Sequence, residues 1–225
     1  VCAAGGWWER EGVDEARRAE VPGCCVYALA QEHGRKQESF DHRTPDAPQP
    51  AIITEYGVKF RDSPGSGHKT GFFADQRENR EWFSQHVAGK RVLDLCCNSG
   101  GFGIYAKARG NADEVIGLDL DEEILAIAKK NAQLNDVKIK FVQADLFPWL
   151  REAAIAKERF DAVVLDPAKL TRDREQVIPA LKKYLDMNKL ALSVVAPGGL
   201  FLSCSCTGLV SEEQFLDMLR RAAFY

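Results

Sequence analysis

Residues 91–110 read RVLDLCCNSGGFGIYAKARG, and the fold follows from them. A short apolar run from Arg91 to Leu95 delivers Asp94 to the carboxyl end of a strand. A glycine-containing turn (Asn98, Ser99, Gly100, Gly101) then opens the next helix. Units of this kind set backbone N–H groups and a helix N-terminus against a ligand, and glycine permits an approach that a Cβ would block. A carboxylate ahead of the turn suits a cationic amine better than a phosphate. Twenty-five positions beyond Asp94, VIGLDLD ends a second strand at Asp119, where an acidic residue can take ribose hydroxyls. The two together point to an adenosine-bearing cofactor.

Downstream the alternation is regular. Strands are predicted at about 91–95, 115–119, 138–143, 160–165 and 199–204, and helices at about 101–109, 121–134, 146–157, 173–195 and 211–223. Runs such as DAVVLD and LFLSC are continuously apolar, as in strands buried on both faces. The expected fold is therefore α/β, a mainly parallel, doubly wound sheet whose ligands sit beyond the strands' carboxyl ends. Asp94, Asp119, Asp145 and Asp166 end or follow successive strands and would line that rim. Any one of them also reads as a helix cap or turn residue. A dinucleotide dehydrogenase is disfavoured because the full GxGxxG is absent: only Gly100, Gly101 and Gly103 remain.

Upstream, AIITEYGVKFRDSPGSG reads as a β-hairpin connector over residues 51–72, with strands at 52–55 and 58–61, a Tyr56-Gly57 turn and a second turn at 64–67. GHKTGFFADQRENR then gathers His68, Lys69, Asp75, Gln76, Arg77 and Arg80 around Phe72 and Phe73. Its plain reading is an amphipathic helix running to about Val87, with Asp75 as N-cap and a solvated charged face. Residues 1–50 yield only a short charged helix, a strand at CCVYALA and a proline-rich connector, read as a remnant or small α+β segment. Residues 73–225 make the main domain. A start at Val1 and a stop at Tyr225 give the expectation of a fragment with closing strands missing.

Composition sets bounds on this reading. Hydrophobic content of 45% is that of an ordinary globular chain, and no run approaches a membrane span. Seven cysteines, an odd number with none in a CxxC pair, argue against a disulfide framework or zinc and for a reducing, cytoplasmic setting. A formal charge of −3 gives no global electrostatic footprint for nucleic acid.

Two further strand ends carry chemistry. In LDPAKL, Pro167 keeps Asp166 out of helical geometry and holds its carboxylate over the rim. In LSCSCTG, Cys204 and Cys206 fall on one face at spacing two. A single buried cysteine is usually an inert small hydrophobe; at a strand end beside Asp166, a nucleophile becomes a real alternative.

In this order, GHKTGFFADQRENR, VLDLCCNSGGF, GLDLD, QADLF, VVLDPAKL and APGGLFLSCSCTG resemble the bacterial class I SAM-dependent large-subunit ribosomal RNA methyltransferases, the RlmI-like group that makes 5-methylcytosine. The resemblance covers about residues 35–223. It implies a Rossmann-like class I methyltransferase fold with S-adenosyl-L-methionine (SAM) as cofactor. It places Asp94, Leu95, Cys96, Asn98, Ser99 and Gly100 at the methionine end and Asp119, with Leu120, at the ribose. Ala144, Asp145 and Leu146 fall at the adenine, and Asp166 at the edge facing the target base. Phe72, Gln76 and Arg77 become a wall of the same site.

Carbon 5 of cytosine is a poor nucleophile, so such enzymes add a thiolate to carbon 6 first. The resemblance makes Cys206 the nucleophile with Cys204 in reserve, Asp166 the acid near the base, and Lys169 a base or phosphate contact. It departs from the pattern at Ala168, where a second proline is usual, and at Asn98, where an aromatic residue is common. The base that removes the ring hydrogen has no candidate. The partner implied is 23S ribosomal RNA, protein-free or immature, with no membrane; the oligomeric state stays open, a homodimer among the expectations. Guanine N-methylation is the rival within the fold, and a non-catalytic SAM- or RNA-binding fragment the rival outside catalysis.

Overall fold

The computed structural model describes residues 50–62, 72–171 and 173–224. The helix, strand and connector expected before residue 50, the turn at 64–67, and His68 and Lys69 lie outside the described residues. The chain divides into two units, Val1–Ile52 with Asp62–Ala74 and Ile53–Arg61 with Asp75–Tyr225. Few residues of the first are described; among them Phe72 is buried and Phe73 exposed.

Strands β1 (Ala51–Glu55) and β2 (Val58–Asp62) form the expected two-stranded sheet. Tyr56 and Gly57 join them with φ of 47° and 85°. Two positive φ values in a two-residue loop match the right-handed twist of the strands it connects.

The remaining elements alternate: α1 (Arg77–Ser84), β3 (Arg91–Leu95), α2 (Gly101–Ala108), β4 (Glu114–Asp119), α3 (Glu122–Leu134), β5 (Lys140–Gln143), α4 (Leu146–Ile155), β6 (Phe160–Leu165), α5 (Val177–Leu192), β7 (Val195–Ser203) and α6 (Glu212–Ala223). Strands β3 to β7 form one wholly parallel sheet in the order β5-β4-β3-β6-β7. The strand order reverses between β3 and β6, and in open α/β sheets that reversal opens the ligand crevice.

Side-chain alternation assigns each strand residue to a face. Leu93, Leu95, Val163 and Leu165 pack with Leu150 of α4 and Met187 of α5. Val92, Ala162 and Val164 pack on the other face with Phe83 of α1 and Phe102 of α2. Asp94 has the parity of Val92, so its carboxylate points to the α1 and α2 side. It is this parity that sends one charged residue of a buried strand toward a helix N-terminus.

Four local expectations are corrected. Asp75 does not cap α1: it lies inside a short 3-10 turn, Ala74–Gln76, and Gln76 occupies the N-cap without a side-chain bond. Helix α1 stops at Ser84 because Gln85 and His86 donate to Trp82 and Phe83, three residues back, which tightens the last turn. The long helix is shorter than 173–195, and β7 begins at Val195, not 199. Phe160 N–H already bonds the carbonyl of buried Val194, and a register shift between Phe160 and Ala162 absorbs the Pro197-Gly198-Gly199 segment. No helix among the described residues is long and apolar enough to cross a membrane.

Candidate active site

The turn after β3 is built from backbone bonds. Cys96 and Asn98 both adopt positive φ, 58° and 49°, so the chain doubles back at once. Cys97 N–H donates to Leu118 O at 2.9 Å, extending the β3–β4 ladder by one rung. Asn98 N–H donates to Asp119 Oδ2 at 2.9 Å, and Asn98 Oδ1 accepts from Ser99 N–H at 2.7 Å. Gly100 closes the turn at φ 85°, where an added Cβ would lie 3.1 Å from Ile104 Cδ1 and 3.3 Å from Phe141 Cζ. Left-handed backbone and crowding together require glycine there.

Asp94 is almost wholly buried and its Oδ2 accepts from the Gly103 N–H at 2.8 Å, in the first turn of α2. Burial raises its carboxyl to about 7; the Gly103 bond and Arg80 pull the other way, while Asp166 and Asp119 add to the rise. Asp119 uses both oxygens, Oδ2 on Asn98 and Oδ1 on the Asp121 N–H at 3.1 Å. Each oxygen keeps a second lone pair for a hydroxyl donor. Beside it Leu120 is 67% exposed, an apolar face offered at a strand end. Asp145 caps α4 by accepting from Phe147 N–H at 2.8 Å, with Ala144 and Leu146 half-buried on either side. For Asp145 the capping role and the rim position hold together.

Asp166 differs from these three: no described residue donates a hydrogen bond to its carboxylate. Its backbone N–H reaches Leu95 O at 3.4 Å, which fixes the residue just past β6. Burial, then Asp75, lifts its carboxyl to about 6, with Arg80 opposing. Cys204, tied by its N–H to Leu165 O, is half-buried, and burial with Asp166 and Asp94 pushes its thiol to about 12 against a hydrogen bond from Gln76. Asp94, Asp166, Gln76 and Cys204 thus meet in one cluster. Because β7 ends at Ser203, strand parity does not govern Cys206. That side chain is exposed, its thiol donating to Pro167 O at 3.7 Å.

Other expected residues are placed differently. The Leu95 side chain is deep in the core, so only its backbone faces the rim. Cys96 is half-buried, its thiol pushed to about 12 by burial and then Asp119. Arg77 is exposed and ion-paired with Glu78 at 3.0 Å. Lys169 is exposed. Phe72 belongs to the first unit.

Several residues to which the sequence assigned no site role take structural positions here. Arg80, not Arg77, is the buried arginine of α1, bonded to Glu55 Oε2 at 2.7 Å, and the Tyr105 hydroxyl donates to the same carboxylate at 3.2 Å. Asn131, fully buried on α3, donates to Ser99 O at 3.1 Å and accepts from Arg61 N–H at 2.9 Å, so it ties the turn to β2. The signal for Arg80 was the spacing of three from Arg77; its partner Glu55 is too distant in sequence to choose between them. Among the described residues no cluster of metal-ligating side chains occurs.

The family model described as a methyltransferase domain matches residues 86–224. A protein of Aeromonas salmonicida named ribosomal RNA large subunit methyltransferase I is 39% identical over 99% of this chain and 58% of its own length. One of that name from Photobacterium profundum is 36% identical with the same coverage. The chain therefore spans little more than half the length of these curated relatives. Among solved structures, SMU.776, a methyltransferase candidate in complex with SAH, aligns with a TM-score of 0.71 at 24% identity, over 80% of this chain and 48% of its own. The SAM-dependent methyltransferase from Agrobacterium tumefaciens aligns at 0.65 with 20% identity, over 80% and 60%. These likenesses show the class I methyltransferase fold.

Proposed function

Since the chain belongs to the methyltransferase-domain family, we propose that it transfers a methyl group from SAM to a base of large-subunit ribosomal RNA, cytosine at carbon 5, in a cytoplasmic setting. The observation that carries this reading is the pairing of an exposed thiol, Cys206, with a carboxyl, Asp166, to which no described residue donates a hydrogen bond, on adjoining loops of the rim. The curated relatives' name supports ribosomal RNA as the substrate class.

The residues present fit the cofactor. Asp94 offers negative charge to its amine, Asp119 offers lone pairs to the ribose with exposed Leu120 next to it in the chain, and Asp145 with Leu146 would meet the adenine. When bound, SAM supplies an electrophilic methyl group. The Cys206 thiolate adds to carbon 6 of the ring, and the adduct gives carbon 5 enamine character. Asp166, held protonated up to about pH 6, donates toward ring nitrogen 3 as negative charge develops there. Once carbon 5 carries the methyl group, solvent water would take the carbon 5 proton, the C5–H electron pair would re-form the C5=C6 bond as the C6–S bond breaks and the thiolate leaves, and nitrogen 3 would return its proton to Asp166. Cys204, with its raised thiol and its bond from Gln76, is the poorer nucleophile of the two and lines the wall between Asp166 and α1. Lys169 meets the RNA backbone or base edge. The target base must leave its stack to reach this rim, which favours protein-free or immature RNA.

The test is methyl transfer from labelled SAM to protein-free large-subunit RNA, with digestion and mass identification of the nucleoside. We expect 5-methylcytidine, abolished at least about 10³-fold by Cys206→Ala and reduced less by Cys204→Ala. A methylated guanosine, or full activity of Cys206→Ala, would refute the cytosine mechanism.

A further inference from the structure

Behind the two loops that carry Asp166 and Cys206 lies a closed ring of hydroxyls that the reaction itself does not use. Tyr184, from the middle of α5, is fully buried, and Thr207 nearly so. The Tyr184 hydroxyl and Thr207 Oγ1 are 2.9 Å apart, and Ser205 Oγ donates to the Tyr184 hydroxyl at 3.1 Å. Thr207 N–H returns to Ser205 Oγ at 3.3 Å. Thr207 Oγ1 also accepts from the Leu170 N–H at 3.2 Å, and Leu170 ends the segment Asp166-Pro167-Ala168-Lys169. The ring aromatic of Tyr184 is fixed in turn by an edge contact with Phe215 of α6, centroids 5.6 Å apart.

We propose that Tyr184 and Thr207 are positioning residues, which hold the Cys206 loop and the Asp166 loop in one register so that thiol and carboxyl meet the same base. Both loops lack regular secondary structure, and beyond β7's last rung they are bridged by the bond from Leu170 N–H to Thr207 and by that from the Cys206 thiol to Pro167 O. Ser205 is exposed, but the Tyr184 and Thr207 hydroxyls are buried, and a buried pair is costly to leave half-satisfied, so these two move together or not at all. Ala168 sets no constraint of its own on the Asp166 loop comparable to that of Pro167. The near end is tied at Asp166 and Pro167, and Leu170 is where the ring takes hold of the far end. Displacement of a reacting group by about 1 Å can cost on the order of 10²-fold in rate.

This inference rests on the proposed role of Cys206. The experiment compares wild type with Tyr184→Phe, Thr207→Val and Thr207→Ser, reading kcat and KM for SAM in methyl transfer, and native-state hydrogen exchange of the Leu170 amide. Thr207→Val is expected to release the Leu170 amide to faster exchange and to lower kcat by about 10-fold or more with KM for SAM unchanged. Tyr184→Phe should lower kcat in the same way, and Thr207→Ser, which keeps the hydroxyl, should restore both readouts. Unchanged Leu170 exchange or unchanged kcat in Thr207→Val overturns the positioning role while leaving Cys206 as nucleophile. Full activity of Cys206→Ala, or a wild type silent on every RNA, overturns the functional reading and this inference with it. Loss of SAM affinity in step with kcat in both Tyr184→Phe and Thr207→Val would mean a merely structural ring.

Discussion

The carboxylate of Asp94 accepts the backbone N–H of Gly103 at 2.8 Å, across the turn that separates strand β3 from helix α2. The strand end and the first helical turn are thereby one unit, and the residue that makes the link is an acid in an apolar interior. An Asp that binds a helix N-terminus is stabilised there, but the desolvation around it is larger.

The stability of the protein should therefore depend on pH through Asp94. Its folded-state carboxyl, at about 7 against an ordinary 3.8, holds a proton that the unfolded chain has already released. The resulting stabilisation is full below the ordinary value and fades as pH climbs through about 7. Asp94→Asn cannot ionise, so its urea midpoint should gain on wild type across that window, by on the order of 2–4 kcal/mol at the upper end. A gap between the two that does not widen with pH would contradict this. The same carboxyl is ionised by a bound cationic amine, so SAM affinity should rise from pH 5.5 to about 8.

Arg80 and Glu55 form a buried pair, both side chains less than a tenth exposed. Arg80→Met strands the Glu55 carboxylate with the Tyr105 hydroxyl, and should cost about 3–5 kcal/mol in urea unfolding. It also withdraws the positive charge that opposes the rise of Asp166, so the pH profile of methyl transfer should move upward. A loss under about 1 kcal/mol would show that water reaches Glu55.

Leu120 offers a contrasting case, since it is mostly exposed and carries little of the fold. Leu120→Ser should leave the unfolding midpoint within about 0.5 kcal/mol of wild type and weaken SAM binding about 5- to 10-fold, read by calorimetry. Unaltered affinity would remove Leu120 from the cofactor site.

Gly110 lies where α2 meets the end of α1. A Cβ there would sit 2.6 Å from Ser84 O and from Val87 Cγ2, and backbone cannot yield as a side chain does. Gly110→Ala should cost about 1–3 kcal/mol by the same unfolding measurement, with SAM affinity per folded molecule unchanged. A neutral substitution would mean that the α1 end shifts freely.

The parallel sheet and its rim were legible because the strands are short apolar runs, each closed by a charged or turn-forming residue, and such runs carry their own boundaries. Asp94, Asp119 and Asp166 could be placed at strand ends for that reason. The start of β7 could not: Val195 enters the ladder through its pairing with Phe160, and a proline and two glycines then disguise the strand as a turn. Nor could the choice of Arg80 over Arg77, since both lie on one helix three residues apart and only Glu55 distinguishes them. Nothing local in the sequence singles out Thr207 or Tyr184. Their meeting depends on how α5 packs, which no local pattern encodes.

The left-handed conformations of Cys96 and Asn98, on either side of Cys97, set stability and activity in opposition. A non-glycine residue held at positive φ is strained, Cys96 more so than Asn98, because a short amide side chain tolerates that region. Replacing either by glycine would relax the folded chain locally while widening the loop's choices when no ligand is present. Selection for heat resistance alone would meet such substitutions without resistance and dismantle the preorganised turn. Selection for turnover would keep the strain. A lineage that retains both residues records which of the two pressures has governed this turn.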